Sequence, residues 1–197
     1  CSAADIATDF GVLPGALHVV PNGVDTELFK PLSSVPRKRG QIIATASADA
    51  PLKGLPVLLK AFKKLVVTDP ARQLLLIARP RAGGDTAALT THLGLVDHVR
   101  FVGDASHEEI NRLYAESAVA VVPSLYEGFG LPAVEAMAAG IPLVSSDGGA
   151  LAEVVADGGL VVPAGDSDAL AATLERVLTD PNFARALGDQ GRQRVER

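Results

Sequence analysis

The sequence has a single cysteine, Cys1, so no internal disulfide can form and nothing in the chain calls for an oxidising compartment. A cytoplasmic setting is the expectation. Positive charge is not in excess either: 18 Lys and Arg stand against 23 Asp and Glu, a formal net charge of −5. Without a concentrated basic face to neutralise the phosphates of a duplex, nucleic acid is excluded as the expected partner, whereas one small anion is not. No apolar run approaches the roughly 20 residues that cross a bilayer, and the first residues lack the basic, apolar and small succession of a secretion signal. Attachment to a membrane, such as peripheral contact with its inner face, is therefore expected only through parts of the protein outside this sequence. His18, His92, His98 and His107 are dispersed and show no metal-ligand spacing, so neither a metal nor a cofactor is expected.

What is present is the balance of a soluble globular protein, 48% hydrophobic and 21% charged over 197 residues. That length suits one well-packed domain and a remnant of another. Short β-branched or aliphatic runs alternate with longer segments of helical period, which predicts an α/β fold, a Rossmann-like parallel sheet with helices on both faces. Six strands are expected at 41–46, 73–78, 99–102, 119–122, 142–145 and 160–162. Helices are expected between them at 54–67, 86–93, 108–116, 131–139 and 151–156, and beyond the last strand at 168–178 and 182–195. Ser106 followed by Glu109 reads as a capping box, and Asp166 to Asp168 offer further caps. Leu55, Val57, Leu58, Ala61, Phe62 and Leu65 form one apolar stripe, with Lys60, Lys63 and Lys64 largely on the solvated side.

Residues 1–31 do not fit this repeating unit. The segment HVVPNGVDTELF begins like a strand at His18 and breaks at Pro21, Asn22 and Gly23, and LSSVPRKRG at 32–40 has the composition of an exposed connection. The expected division is therefore a tail of a missing N-terminal domain with its connection at 1–31, and a binding domain at 32–197.

The most informative segment is PSLYEGFGLPAVEAMAAG at 123–140, where a buried strand runs into a glycine-containing loop and then a helix. The first amides of a helix lack internal acceptors and its aligned dipoles leave partial positive charge, so a diphosphate is stabilised there. Gly128 and Gly130 permit close backbone approach, and Pro132 fits the first turn, where its missing N–H costs nothing. Gly130, Leu131 and Ala133 are then the expected amide donors. Glu127 and Glu135 would repel bound phosphates, but as acceptor-only groups they suit sugar hydroxyls. A nucleotide sugar supplies both kinds of group; by location Glu135 suits the ribose and Glu127 the transferred sugar.

The stretch from Glu127 to Glu135 resembles the two-glutamate signature of family 4 glycosyltransferases, retaining enzymes of the two-domain GT-B architecture. VVPNGVDTELF, LKG at 52–54, FVGDAS at 101–106, VPSLYEGFGLPAVEAMAAG and VSSDGGALAEVV follow the family's order and spacing over nearly the whole chain. The resemblance implies the C-terminal, donor-binding half of such an enzyme, with acceptor binding in a missing N-terminal domain. It further implies that Glu135 binds ribose and Glu127 the donor sugar, that Lys53 binds phosphate, and that the amides of Phe129 to Leu131 assist it. Arg79, Val102 and Gly103 fall where the family holds the base. Catalytic duty would rest on Glu127 and Lys53, the lysine offsetting charge on the departing diphosphate.

One departure concerns the Gly-Arg pair that precedes the family's lysine, where this chain reads TASADAPLK. Either Arg79 or Arg81 supplies the second cation, or Lys53 and the helix start suffice. Two other functions fit the same architecture: a sugar-nucleotide epimerase, which needs no acceptor, and a noncatalytic sugar-nucleotide-binding subunit.

Overall fold

A computed structural model describes residues 2–18, 20 and 22–197. All six expected strands form, as β1 (Lys38–Thr45), β2 (Gln73–Ile77), β3 (Val99–Val102), β4 (Ser117–Val122), β5 (Leu143–Ser146) and β6 (Leu160–Val162). They build one parallel sheet in the order β3-β2-β1-β4-β5-β6. The helices are α1 (Ser2–Phe10), α2 (Leu55–Thr68), α3 (Asp85–His92), α4 (His107–Glu116), α5 (Leu131–Ala138), α6 (Leu151–Val155), α7 (Ser167–Thr179) and α8 (Pro181–Val195). The architecture is the Rossmann-like α/β fold expected from the alternation.

The central strands are buried on both faces, which is why they read as unbroken apolar runs. Successive side chains nonetheless divide between two cores, as the strand period of two requires. Ile42, Ala44, Leu74, Leu76, Val119 and Val121 join α2 and α7 on one face. Ile43, Leu75, Ala120 and Val122 join α4, α5 and α6 on the other. Expected caps are in place: Ser106 and Glu109 complete the capping box of α4, and Asp166 accepts from the amides of Asp168 and Ala169 at the start of α7.

Four differences from the sequence reading have physical reasons. β1 starts at Lys38, inside the stretch read as an exposed connection, because the chain already pairs there with Ser117 and Lys38 reaches Glu116 at 2.8 Å. Residues 2–10 form a helix that the sequence reading left unassigned. His18 and Val20 are not in a strand; Val19 and Pro21, which belong to the same expected strand and turn, lie outside the described residues, as does Cys1. Phe29, assigned from sequence to the connecting segment, is 4% exposed and packs with Tyr114 at 6.4 Å between ring centroids. Arg192 of α8 fixes that segment by donating to the carbonyls of Thr26, Phe29 and Ala138 at 3.2, 3.0 and 2.8 Å.

Candidate functional site

β1 and β4 are neighbours in the sheet, but the chain leaves β1 toward β2 on one side and β4 toward β5 on the other. The strand order thus reverses between them, and the loops that follow these two strands lie at the carboxyl ends of the switch point, the place where open parallel sheets bind ligands. The loop after β1 ends in a short 3-10 turn, Pro51–Lys53, and then Gly54 in the left-handed region at φ 66°. A Cβ there would lie 1.9 Å from the carbonyl oxygen of Pro123, so only glycine lets this turn rest on the end of β4. Two backbone bonds fasten the contact, with the amides of Leu125 and Tyr126 donating to the Leu52 carbonyl at 2.8 and 3.5 Å.

The approach brings Lys53 to Glu127. Its Nζ donates to both carboxylate oxygens, at 3.0 Å to Oε1 and 2.8 Å to Oε2. The Ser124 hydroxyl donates to the same Oε2 at 3.0 Å. Behind them the loop is held from the other side. Ser146 donates its hydroxyl to the Ser124 carbonyl, and the Ala150 amide donates to the Glu127 carbonyl at 2.9 Å. Side chains at Gly148 and Gly149 would meet the carbonyl oxygens of Ser124 and Glu127 at 2.4 and 2.3 Å. The DGG turn at 147–149 therefore shapes the glutamate loop as well as leading into α6.

Gly130 caps α5 at φ 97°, a conformation that excludes a side chain, and a Cβ would lie 2.5 Å from Leu151. Pro132 sits in the first turn as expected. Ala133 is not available as a donor: its amide is spent on the Gly130 carbonyl at 2.9 Å. Among the described residues the amides of Gly130 and Leu131 have no protein acceptor. Gly128 has open space where a side chain would be, Phe129 packs half-buried against the inner core, and Leu131 is exposed.

Glu135, one turn into α5, has different neighbours. Burial pushes its carboxyl above the ordinary glutamate range, opposed by the nearby His107. Its charge is also felt by Tyr114, whose buried phenol is raised above its usual value chiefly by desolvation and bonds Thr45 Oγ1 at 3.1 Å. The two glutamates thus belong to separate clusters at the start of α5, Glu127 with Lys53 and Ser124, Glu135 with His107 and Tyr114.

Arg79 follows β2 and is ion-paired with Asp104 after β3, its chain passing over Gly103. Val102 ends β3 opposite Ile77. Arg81 lies in a loop tied to Asp49, whose carboxylate accepts from the amides of Arg81 and Thr86, each at 2.8 Å. Those amides hold the Asp49 carboxyl below its usual range. Neither arginine makes an ion pair with Glu127, and Lys53 is its cation. Among the described residues no three His, Cys, Asp or Glu side chains are grouped to hold a metal, and no helix is long and apolar enough to cross a membrane.

Sequence reading did not single out Ser124, Ser146 or Asp49, since a serine at a strand end and an aspartate in a loop carry no local pattern. Gly54 offered a signal, a glycine directly before an apolar helical stripe.

Comparison with known proteins places this geometry in context. The pattern of the family described as "Glycosyl transferases group 1" matches residues 29–194. The chain is 51% identical over 198 residues to an "MMP alpha-(1->4)-mannosyltransferase" of Mycolicibacterium hassiacum, covering 98% of this chain and 47% of that protein. It is 36% identical to a "Phosphatidyl-myo-inositol mannosyltransferase" of Mycolicibacterium smegmatis, covering 90% of this chain and 47% of that one. The chain thus spans about half the length of the curated relatives it matches. Among solved structures, the sucrose-phosphate synthase of Thermosynechococcus elongatus superposes with a TM-score of 0.80 at 35% identity, over 91% of this chain and 47% of that one. The Anabaena protein HepE, in complex with UDP and glucose, shares the fold with a TM-score of 0.83 at 23% identity, over 99% of this chain and 56% of that one.

Proposed function

The chain belongs to the group 1 glycosyl transferases, and from that premise we propose that it is the nucleotide-sugar-binding domain of a retaining glycosyltransferase. The observation that carries the reading is the meeting of Lys53 and Glu127 at the mouth of α5. A cation and a carboxylate before α5, two unspent amides at its start and a second carboxylate one turn in match the chemistry of a nucleoside diphosphate sugar. The cation and amides suit its phosphates, and the acids suit its hydroxyls. Lys53 with Gly130 and Leu131 would take the diphosphate, Glu127 the transferred sugar and Glu135 the ribose. Arg79, Val102 and Gly103 would border the base. Two relatives named as mannosyltransferases favour a mannosyl donor.

Lys53 is paired with Glu127, and the pair must open for a diphosphate to bind. A diphosphate carries more charge and more acceptor oxygens than a carboxylate, so it competes for the lysine through stronger charge-assisted bonds. No residue here need form a covalent intermediate. The acceptor would approach the leaving-group face, a diphosphate oxygen would take its proton, and the protein would supply position and charge stabilisation without a metal. Acceptor binding would fall to an N-terminal domain outside this chain. The isolated chain should bind the donor and scarcely transfer it. A cytoplasmic location accords with the single cysteine.

The test is titration of the chain with GDP, UDP and ADP and with their sugar conjugates, monitored by calorimetry and by NMR of the sugar. Saturable binding of one nucleotide series by the chain supports the reading, and absence of binding to every series would refute the site. Isomerisation of the nucleotide sugar by the full-length parent without acceptor would instead identify an epimerase.

A further inference from the structure

Glu127 has two hydrogen-bonding partners, and they would respond differently to a ligand. Lys53 is a flexible side chain that a diphosphate would draw away. Ser124 is not free to follow: it is 2% exposed, Ser146 grips its carbonyl, and the backbone of Gly148 lies against that same oxygen. Its hydroxyl reaches Glu127 Oε2 at 3.0 Å. We propose that Ser124 is a positioning residue, the fixed donor that keeps Glu127 aimed at the transferred sugar once the diphosphate has taken Lys53.

The inference rests on the assignment of Glu127 to the donor sugar. A carboxylate with two oxygens can accept from Ser124 on one and from a sugar hydroxyl on the other. With Lys53 gone and no Ser124, the Glu127 side chain would be free to rotate, and each hydroxyl contact would carry the entropy of fixing it again. The nucleoside diphosphate itself does not touch Glu127 in this arrangement and has only to draw Lys53 from it, so losing Ser124 does not weaken its binding.

That asymmetry supplies the test. Ser124→Ala and the closely sized Ser124→Cys are titrated with GDP and GDP-mannose, and with UDP and UDP-glucose as a second pair, beside Glu127→Gln and the parent. The expected result is a loss of about 10-fold in affinity for the sugar conjugate, the scale of one hydrogen bond to a charged group, with the plain diphosphate bound as in the parent. Ser124→Cys keeps the packing and should behave as Ser124→Ala. If both serine variants bind the sugar conjugate like the parent while Glu127→Gln loses it, Ser124 is idle and the inference is overturned. If Ser124→Ala loses both ligands and Ser124→Cys loses neither, the serine only fills space, which also overturns it. If Glu127→Gln itself fails to separate the two ligands, the sugar assignment falls, and the inference falls with it.

Discussion

Lys53 and Glu127 stand 74 positions apart in the chain and meet through two contacts of 3.0 and 2.8 Å. Neither residue belongs to regular strand or α-helix; each sits in a loop leaving one of two adjacent strands. The parallel sheet brings the loops together, and Gly54 lets them touch.

Gly54→Ala tests that approach. A left-handed residue other than glycine costs about 1–2 kcal/mol, and here the added carbon also meets a backbone oxygen at 1.9 Å. The variant should lose at least about 2 kcal/mol, a Tm drop of roughly 4–8 °C for a domain of this size, together with about 10-fold in nucleotide affinity. Thermal melts and titration check it; an unchanged Tm would show that the turn does not bear on β4.

Glu135 should trade stability for binding. Its carboxyl is raised in the folded state by burial, so the folded chain holds a proton that the unfolded chain has already lost. Stability therefore falls as pH rises from the ordinary glutamate value through the raised one. Glu135→Gln should remove that slope and raise Tm at pH 7, while weakening nucleotide binding. In the parent, affinity should begin to fall on acidification at a higher pH than an unperturbed glutamate would give. Melts and titrations across pH 4–8 read both effects; a lower Tm for Glu135→Gln would contradict the sign.

Away from the crevice, Arg72 is 5% exposed and pairs with Glu175 of α7, its Nη2 donating to Oε1 at 2.8 Å. Glu175→Ala leaves the buried guanidinium with Asp69 alone, 3.5 Å from its Nε, and should cost about 1.5–3 kcal/mol, whereas Arg72→Met should cost less because the two carboxylates it leaves are partly solvated. Arg72 holds the Glu175 carboxyl below its usual range, so this contribution is present above the ordinary glutamate value and lost as pH falls through the lowered one. Denaturant melts of both variants at neutral and acid pH check the order.

The sheet was legible because its central strands are buried on both faces and so read as apolar runs, which is why the expected strand ends differ by only a few residues. Lys38 escaped because, with its basic neighbours Arg37 and Arg39, it resembles a solvated linker, while pairing with Ser117 and Glu116 is visible only once the fold exists. Lys53, Glu127 and Glu135 could be named from motifs. Their grouping could not, since it depends on Gly54 against Pro123 and on Gly148 and Gly149 against the glutamate loop. Ala133 was taken for a free donor because sequence places it in the first turn of α5; its bond to Gly130 spends that amide. Ser124 has no local signal, because its meaning lies in the carboxylate three residues on.

The most direct measurement is calorimetric titration of the chain and of Lys53→Ala with the nucleoside diphosphate that the parent prefers among GDP, UDP and ADP. Loss of the lysine's charge-assisted bonds to phosphate should weaken binding by roughly 10- to 100-fold at unchanged stoichiometry. Equal affinity in parent and variant would mean that the diphosphate does not lie at Lys53, and would contradict the account.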